Sequence, residues 1–147
     1  MGHFATGVTV VTTRDIEGNP QGMTANAVTS LSLEPPLVLI CVDKSAEIHQ
    51  HLGEDRYFAL NILREEQEEI SRRFALVGID RFEDINYRFG KTGAPILENV
   101  LAFLECRVTG AYPGGDHTIF LGEVEVAGIL EGNPLIFYRG EYTKLEK

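Results

Sequence analysis

Two long strand-like runs around the turn Pro113-Gly114-Gly115-Asp116 constrain this chain more than any other feature. Ala102 to Gly110 alternates Leu104, Cys106 and Val108 against Glu105, Arg107 and Thr109. A period of two puts the first set on one face of a strand and the second on the other. His117 to Leu130 returns as a second long strand, and the residues between have turn chemistry. The pair predicts an antiparallel hairpin.

Other segments read the same way. Gly7 to Thr13 is rich in β-branched residues and reads as a strand, and Glu17 to Gly22 as a turn. Met23 to Leu33 alternates small polar and apolar residues, so one face packs while the other presents hydroxyls and amides. After Pro35-Pro36, residues 36–42 (PLVLICV) are almost wholly apolar and read as a strand buried on both faces. Tyr57 to Ile62 and Pro134 to Arg139 add strands. Ser45 is placed to cap a short helix through about Leu52. Arg64 to Ala75 reads as a helix with four glutamates early and Arg72 and Arg73 late, which suits the helix dipole. Glu68–Arg72 and Glu69–Arg73 have ion-pair spacing, and Leu63, Ile70 and Phe74 share a face. Asp80 to Gly93 reads as a short helix plus loop.

Strands therefore outnumber helices and do not alternate regularly with them, which disfavours a doubly wound parallel sheet. The expected fold is mainly β with a few helices, mostly antiparallel, in one domain over residues 1–147. A closed or nearly closed barrel would remove most exposed edges. The apolar strands PLVLICV and HTIFLGEVEV carry more apolar surface than one small barrel needs, which predicts a symmetric homodimer.

Composition narrows the function. Thirteen basic and 22 acidic residues give a net charge of −9, which argues against a nucleic-acid partner. No apolar run reaches the ~20 residues of a membrane helix, and the N-terminus lacks the pattern of a signal peptide, so the expected location is cytoplasmic. Cys41 and Cys106 lie far apart in apolar runs and read as buried reduced thiols. His49 and His51 are two residues apart, so on a helix they point to different faces; they read as solvated polar side chains on a helix surface, and no metal site is expected. Nucleotide-binding glycine motifs, the serine-hydrolase elbow and H-E-x-x-H are all absent.

Three places remain as candidate chemistry. Residues 22–33 hold Thr24, Asn26, Thr29, Ser30 and Ser32, too many uncharged polar groups for a plain core strand. They read either as a half-solvated strand or as a wall of neutral donors and acceptors for a planar heteroaromatic ligand. Asp43-Lys44-Ser45 starts a helix and reads either as an ordinary cap or as an anion site. His117 follows Gly114-Gly115-Asp116 and is either an ordinary turn residue or a hydrogen-bonding group at a ligand's edge.

The same residues carry a family resemblance. Phe4-Ala5-Thr6-Gly7-Val8-Thr9-Val10-Val11-Thr12 is followed by Gly22-Met23-Thr24-Ala25-Asn26-Ala27, then by Ser30-Leu31-Ser32-Leu33-Glu34-Pro35-Pro36-Leu37. Phe58-Ala59-Leu60-Asn61-Ile62-Leu63, Arg73-Phe74-Ala75, Gly115-Asp116-His117 and Gly122-Glu123-Val124 come after. In this order and spacing they span nearly the whole chain, which resembles the short-chain flavin reductases, the reductase components of two-component flavin monooxygenases. Only Met1-Gly2-His3 precede Phe4, where relatives have a longer helix, which points to a truncated or late-starting chain.

The resemblance implies an FMN-binding split β-barrel, a homodimer, FMN or FAD as cofactor and NADH or NADPH as co-substrate. It implies that Met23, Thr24, Ala25 and Asn26 approach the ring or ribityl chain, with Ser30 and Ser32 nearby. Val42, Asp43, Lys44 and Ser45 would lie near the phosphate and His117 near the nicotinamide, and Asn61, Arg73 and Phe74 complete the implied cofactor set. The implied activity is hydride transfer from nicotinamide to flavin, with a flavin-dependent monooxygenase as partner. A flavin-binding electron carrier of the flavoredoxin kind is the alternative. An oxidase of the pyridoxamine-phosphate kind ranks lower, because the chain lacks a basic cluster for a second phosphate-bearing substrate.

Overall fold

The hairpin expected around Pro113–Asp116 forms the spine of the molecule. This computed structural model describes residues 1–146. In chain order its strands are β1 (Thr6–Gly7), β2 (Thr9–Arg14), β3 (Pro20–Ala25), β4 (Val28–Leu33), β5 (Pro36–Asp43), β6 (Tyr57–Ile62), β7 (Tyr87–Phe89), β8 (Pro95–Leu97), β9 (Ala102–Gly114), β10 (His117–Ile129), β11 (Leu135–Tyr138) and β12 (Glu141–Lys144). Helix α1 (Glu68–Arg73) follows β6, and 3-10 segments occupy Glu47–His51 and Glu65–Gln67.

Seven strands form one antiparallel sheet in the order β3-β2-β6-β9-β10-β5-β4. Its edges, β3 and β4, are consecutive in the chain and separated only by Asn26 and Ala27. Three Cα steps reach about 11 Å at most, so the sheet must curl until its edges approach. The Cys41 N–H donates to the Ala27 carbonyl at 3.0 Å, fastening the link to β5. The result is a barrel left open at one seam. The segment Glu47–His51 packs at that seam, and Ile48 and Leu52 join the interior.

The interior holds Val11, Ala25, Val38, Ile40, Val42, Phe58, Leu60, Cys106, Val108 and Phe120. Each large side chain removed from water here contributes about 1.5–3 kcal/mol. The outer face of β2, β6 and β9 is covered as well. Val8, Val10, Leu63, Phe74, Phe82, Leu97, Val100 and Leu135 form a second cluster there, and Ala59, Ala94 and Ile96 a third. Strands β1, β11 and β12 make a separate small sheet.

Several expectations need correction. Residues 36–42 are not buried on both faces: Val38, Ile40 and Val42 point inward, while Leu37, Leu39 and Cys41 stay half exposed on the outside. Asp80 to Gly93 contains no helix; it holds turns and β7, and Phe82 and Tyr87 pack edge to face at 5.1 Å. The Arg64–Ala75 helix is a 3-10 turn followed by the six residues of α1. Glu68–Arg72 pairs at 2.9 Å as expected. Arg73 instead gives its N–H groups to the carbonyls of Asp80, Arg81 and Glu83. The run from Met23 to Leu33 breaks at Asn26-Ala27 and serves two opposite edges. Strand β12 was not anticipated.

Candidate functional site

The seam gathers most of the residues singled out by sequence. At its β3 side, the Thr24 hydroxyl donates to the Ser71 carbonyl at 2.6 Å and its N–H to the Phe74 carbonyl at 3.2 Å. The Thr9 hydroxyl donates to the Ala25 carbonyl at 2.6 Å. This stretch is therefore tied to α1 on one side and β2 on the other. Val8, Thr24, Ala25, Asn26, Ser71, Ala75, Phe137 and Tyr142 line a cavity of about 220 Å³. Its lining is mostly apolar, with the Ser71–Tyr142 hydroxyl pair at 2.6 Å on its wall. Asn26 and Ala27 are exposed at the link to β4.

At the β5 side, the strand ends at Asp43, directly opposite His117 of β10. Lys44 is exposed, and its N–H donates to the Asp116 carbonyl at 2.9 Å. Ser45 does not cap a helix. The 3-10 segment begins after Ala46, has no side-chain cap, and is too short to present a row of free amides. Ser45 gives both its N–H and its hydroxyl to the Asp43 carboxylate, each at 2.8 Å. These bonds hold the Asp43 carboxyl below the usual range, with smaller help from His117 and His49. An anion is thus already built into the turn, and Lys44 is the cation left facing outward.

His117 is partly exposed, with Nδ1 2.7 Å from Asp116 Oδ1. His49 is not a solvated helix side chain: its Nε2 meets the Thr118 hydroxyl at 2.7 Å, and its ring lies edge-on to Phe120. Ser30 and Ser32 lie on β4, with Ser30 exposed and Ser32 partly so. Ala27 and Cys41 share a hydrogen bond, so Asn26 stands exposed where the two sides meet, whereas Val42, a predicted site residue, turns its side chain into the interior and is fully buried.

Three predicted site residues sit elsewhere. Asn61 is fully buried, and its amide is committed to the protein. It donates to the Val10 carbonyl and the Thr12 hydroxyl, each at 3.0 Å, and accepts the Leu97 N–H at 2.9 Å. Phe74 is buried against Phe82 at 5.0 Å. Arg73 is tied to loop carbonyls as described. Asn61 and Phe74 shape the frame behind β3 and expose no contact surface.

Arg81 was not singled out from sequence. Its guanidinium donates to the Leu76 carbonyl at 2.6 Å and the Gly22 carbonyl at 2.7 Å, locking the 76–81 loop onto β3. Burial lowers its affinity for its proton, and Glu47 works against that. The signal available was its place in an apolar loop, where an arginine needs partners. Gly22 itself is required by packing: a Cβ there would lie 2.7 Å from the Phe74 ring and 3.2 Å from Phe82.

Larger cavities lie away from the seam. One of about 620 Å³ is lined by Tyr87, Arg88, Phe103 and Leu130 among others, and one of about 350 Å³ by Arg14, Arg56 and Thr92 among others. Neither brings together any of the sequence-predicted site residues. Among the described residues no helix is long and apolar enough to cross a membrane, and no cluster of metal-binding side chains occurs.

Comparison with known proteins places this geometry. The flavin reductase like domain matches residues 1–146. An NADH-dependent FAD reductase of Streptomyces globisporus is 50% identical over 131 residues, covering 86% of this chain and 71% of that protein. The reductase component of a Rhodococcus opacus 4-nitrophenol 4-monooxygenase/4-nitrocatechol 2-monooxygenase is 43% identical over 142 residues, covering 97% and 76%. The solved structure of a Streptomyces globisporus NADH:FAD oxidoreductase, in complex with NAD and FAD fragments, superposes with a TM-score of 0.93. It is 44% identical, over 99% of this chain and 88% of that one. The order of the seven strands, the seam and the match along the full described length agree: this chain belongs to the flavin reductase like domain family.

Proposed function

We propose that this chain is a cytoplasmic NAD(P)H:flavin oxidoreductase, one domain over residues 1–147, acting as the reductase partner of a flavin-dependent monooxygenase. The observation that carries the reading is the seam itself. It sets the uncharged stretch Met23–Asn26 beside an outward-facing lysine and an accessible histidine. FMN or FAD fits this donor set: small side chains allow a flat ring close to the backbone, and Lys44 supplies charge for a phosphate. Bound flavin and nicotinamide would supply the hydride-transfer chemistry between them, and these residues would hold them in place.

The chain's own residues position. Thr24, locked by Ser71 and Phe74, would hold β3 rigid against the ring. Asn26 offers a free carboxamide at the link, and Ser30 and Ser32 lie on the neighbouring edge. Lys44 holds the phosphate; Asp43 and Ser45 shape that turn by bonding each other. His117 meets the nicotinamide dinucleotide. Fixing two rings in contact removes the entropy cost of their encounter, and no acid–base pair is needed.

A homodimer completes the reading. Leu39, Cys41, Ile119 and Leu121 form an outward apolar patch on β5 and β10, with Tyr112 beside Ile119 in the register. A second copy is the occupant this patch suits. Sedimentation of Leu39→Asp against the parent chain tests it, and a parent that is monomeric at micromolar concentration overturns it.

Steady-state oxidation of NADH and NADPH with FMN, FAD and riboflavin in parallel tests the activity. Turnover with at least one pair is expected. Tight flavin binding without nicotinamide oxidation would replace this reading with an electron carrier. His117→Ala should raise the KM for NAD(P)H, lower kcat, or both, with flavin affinity little changed.

A further inference from the structure

Two carboxylates flank His117, and the structure uses them differently. Asp43 stands opposite His117 across the β5–β10 ladder, and its Oδ1 is engaged by the Ser45 N–H and hydroxyl. Asp116 has no such local ligand, and its Oδ1 lies 2.7 Å from His117 Nδ1. The backbone of Asp116 is pinned, because its carbonyl accepts the Lys44 N–H at 2.9 Å. The preceding Gly115 turns the chain with φ 69°, a conformation that favours glycine. His49, the other imidazole at this end, is held by Thr118 and Phe120.

We propose that Asp116 is a positioning residue that binds His117 at Nδ1 and fixes the ring's tautomer and orientation, leaving Nε2 to meet the nicotinamide dinucleotide. The inference rests on the role given to His117 above. A carboxylate accepts but cannot donate, so the ring nitrogen it faces must carry the proton. The neutral ring then presents a lone pair at Nε2, and the protonated ring presents a donor at the same place and in the same direction. The charged and titratable groups around the ring are Asp116 on its own turn, Asp43 at the end of β5, Lys44 just after it, and His49 from the 3-10 segment. Of these, only Asp116 touches the ring. The assignment gives the Asp116-His117 pair one function instead of two: the aspartate is the support, the histidine the contact.

The test uses the full chain with 15N-labelled histidine. Long-range 1H–15N correlations at a pH where His117 is neutral report which ring nitrogen carries the proton. The proton is expected on Nδ1 in the parent and in Asp116→Asn, whose amide oxygen still accepts. In Asp116→Ala the Nε2–H form should appear. The KM for NADH should rise about three- to tenfold in Asp116→Ala and recover in Asp116→Asn, with FMN affinity little changed. Adding Asp116→Ala to His117→Ala should change nothing further. An unchanged tautomer in Asp116→Ala overturns the proposal, as does a KM loss that persists in the His117→Ala background. If His117→Ala leaves NADH kinetics untouched, the proposal also falls. A tautomer that still responds to Asp116 would then place the fault in the role assigned to His117.

Discussion

Glu105 holds its carboxylate against Thr92: Oε1 accepts the Thr92 N–H at 2.9 Å and the Thr92 hydroxyl at 2.6 Å. Oε2 takes the Lys91 N–H at 3.3 Å, and the side chain is 1% exposed. Gly90 makes this approach possible, since a Cβ there would lie 2.3 Å from the carboxylate. One charged group thus fastens the β7–β8 connection onto β9.

Removing that carboxylate leaves three part-buried donors without their partner. Glu105→Ala should cost about 2–4 kcal/mol, since each buried unsatisfied donor costs about 1–3 kcal/mol. Glu105→Gln, which keeps one acceptor, should cost less. Urea denaturation checks both; a loss for Glu105→Ala no larger than that for the exposed Glu54→Ala would refute the account.

Asn61→Ala should destabilise the chain by about 2–3 kcal/mol, because three hydrogen bonds inside the sheet lose a partner. Flavin affinity of the folded variant should stay within about twofold of the parent, against the cofactor role implied by resemblance. A flavin titration on protein that melts cooperatively decides it. A tenfold weaker complex would restore Asn61 to the site.

Lys44→Ala should weaken FMN more than riboflavin. A charge-assisted bond to a phosphate is worth roughly 1.5–3 kcal/mol, about tenfold or more in affinity. The exposed setting of Lys44 points to the lower end. Fluorescence titration with both flavins separates the phosphate contact from general damage; equal losses would remove Lys44 from the phosphate.

Cys106 gives a pH-dependent signature. Burial pushes its thiol up to about 12, with Glu105 and then Glu125 adding to it. In the unfolded chain the thiol ionises near an ordinary value of about 8.5. The folded state therefore holds its proton longer, so this stability is complete below about pH 8.5 and drains away as pH climbs toward about 12. In a Cys41→Ser background, Cys106 should not react with a thiol reagent at pH 8 until urea unfolds the chain. Rapid labelling of folded protein would contradict the burial.

What the sequence made legible follows from which forces are local. The β9–β10 hairpin was readable because its alternation and its turn both lie in one stretch of chain. The alternation sets Glu105 on the face of β9 opposite Leu104, Cys106 and Val108, but does not tell that this face is covered. What covers that face, the segment around Thr92, comes from a distant part of the sequence. Ser45 had the chemistry of a cap, yet Asp43 two residues earlier accepts both its N–H and its hydroxyl, so the hydroxyl is spent as a donor inside the turn. Asp80 to Gly93 looked helical for its mixed polarity, but Phe82 and Tyr87 are drawn into the second cluster and extend the chain. Leu37, Leu39 and Cys41 read as core because their apolar character does not say which partner covers them.

The clamps made by Arg73 and Arg81 have an electrical consequence. Both spend their donors on backbone carbonyls, which carry no net charge, and Glu47 is an acidic neighbour of Arg81 alone, so positive charge remains beside β3 in a chain of net charge −9. A dinucleotide far from the protein feels the net negative field, while one at the seam feels those arginines and Lys44. Added salt screens both. It should therefore speed the encounter and loosen the final complex at once, moving the association and dissociation rates in the same direction.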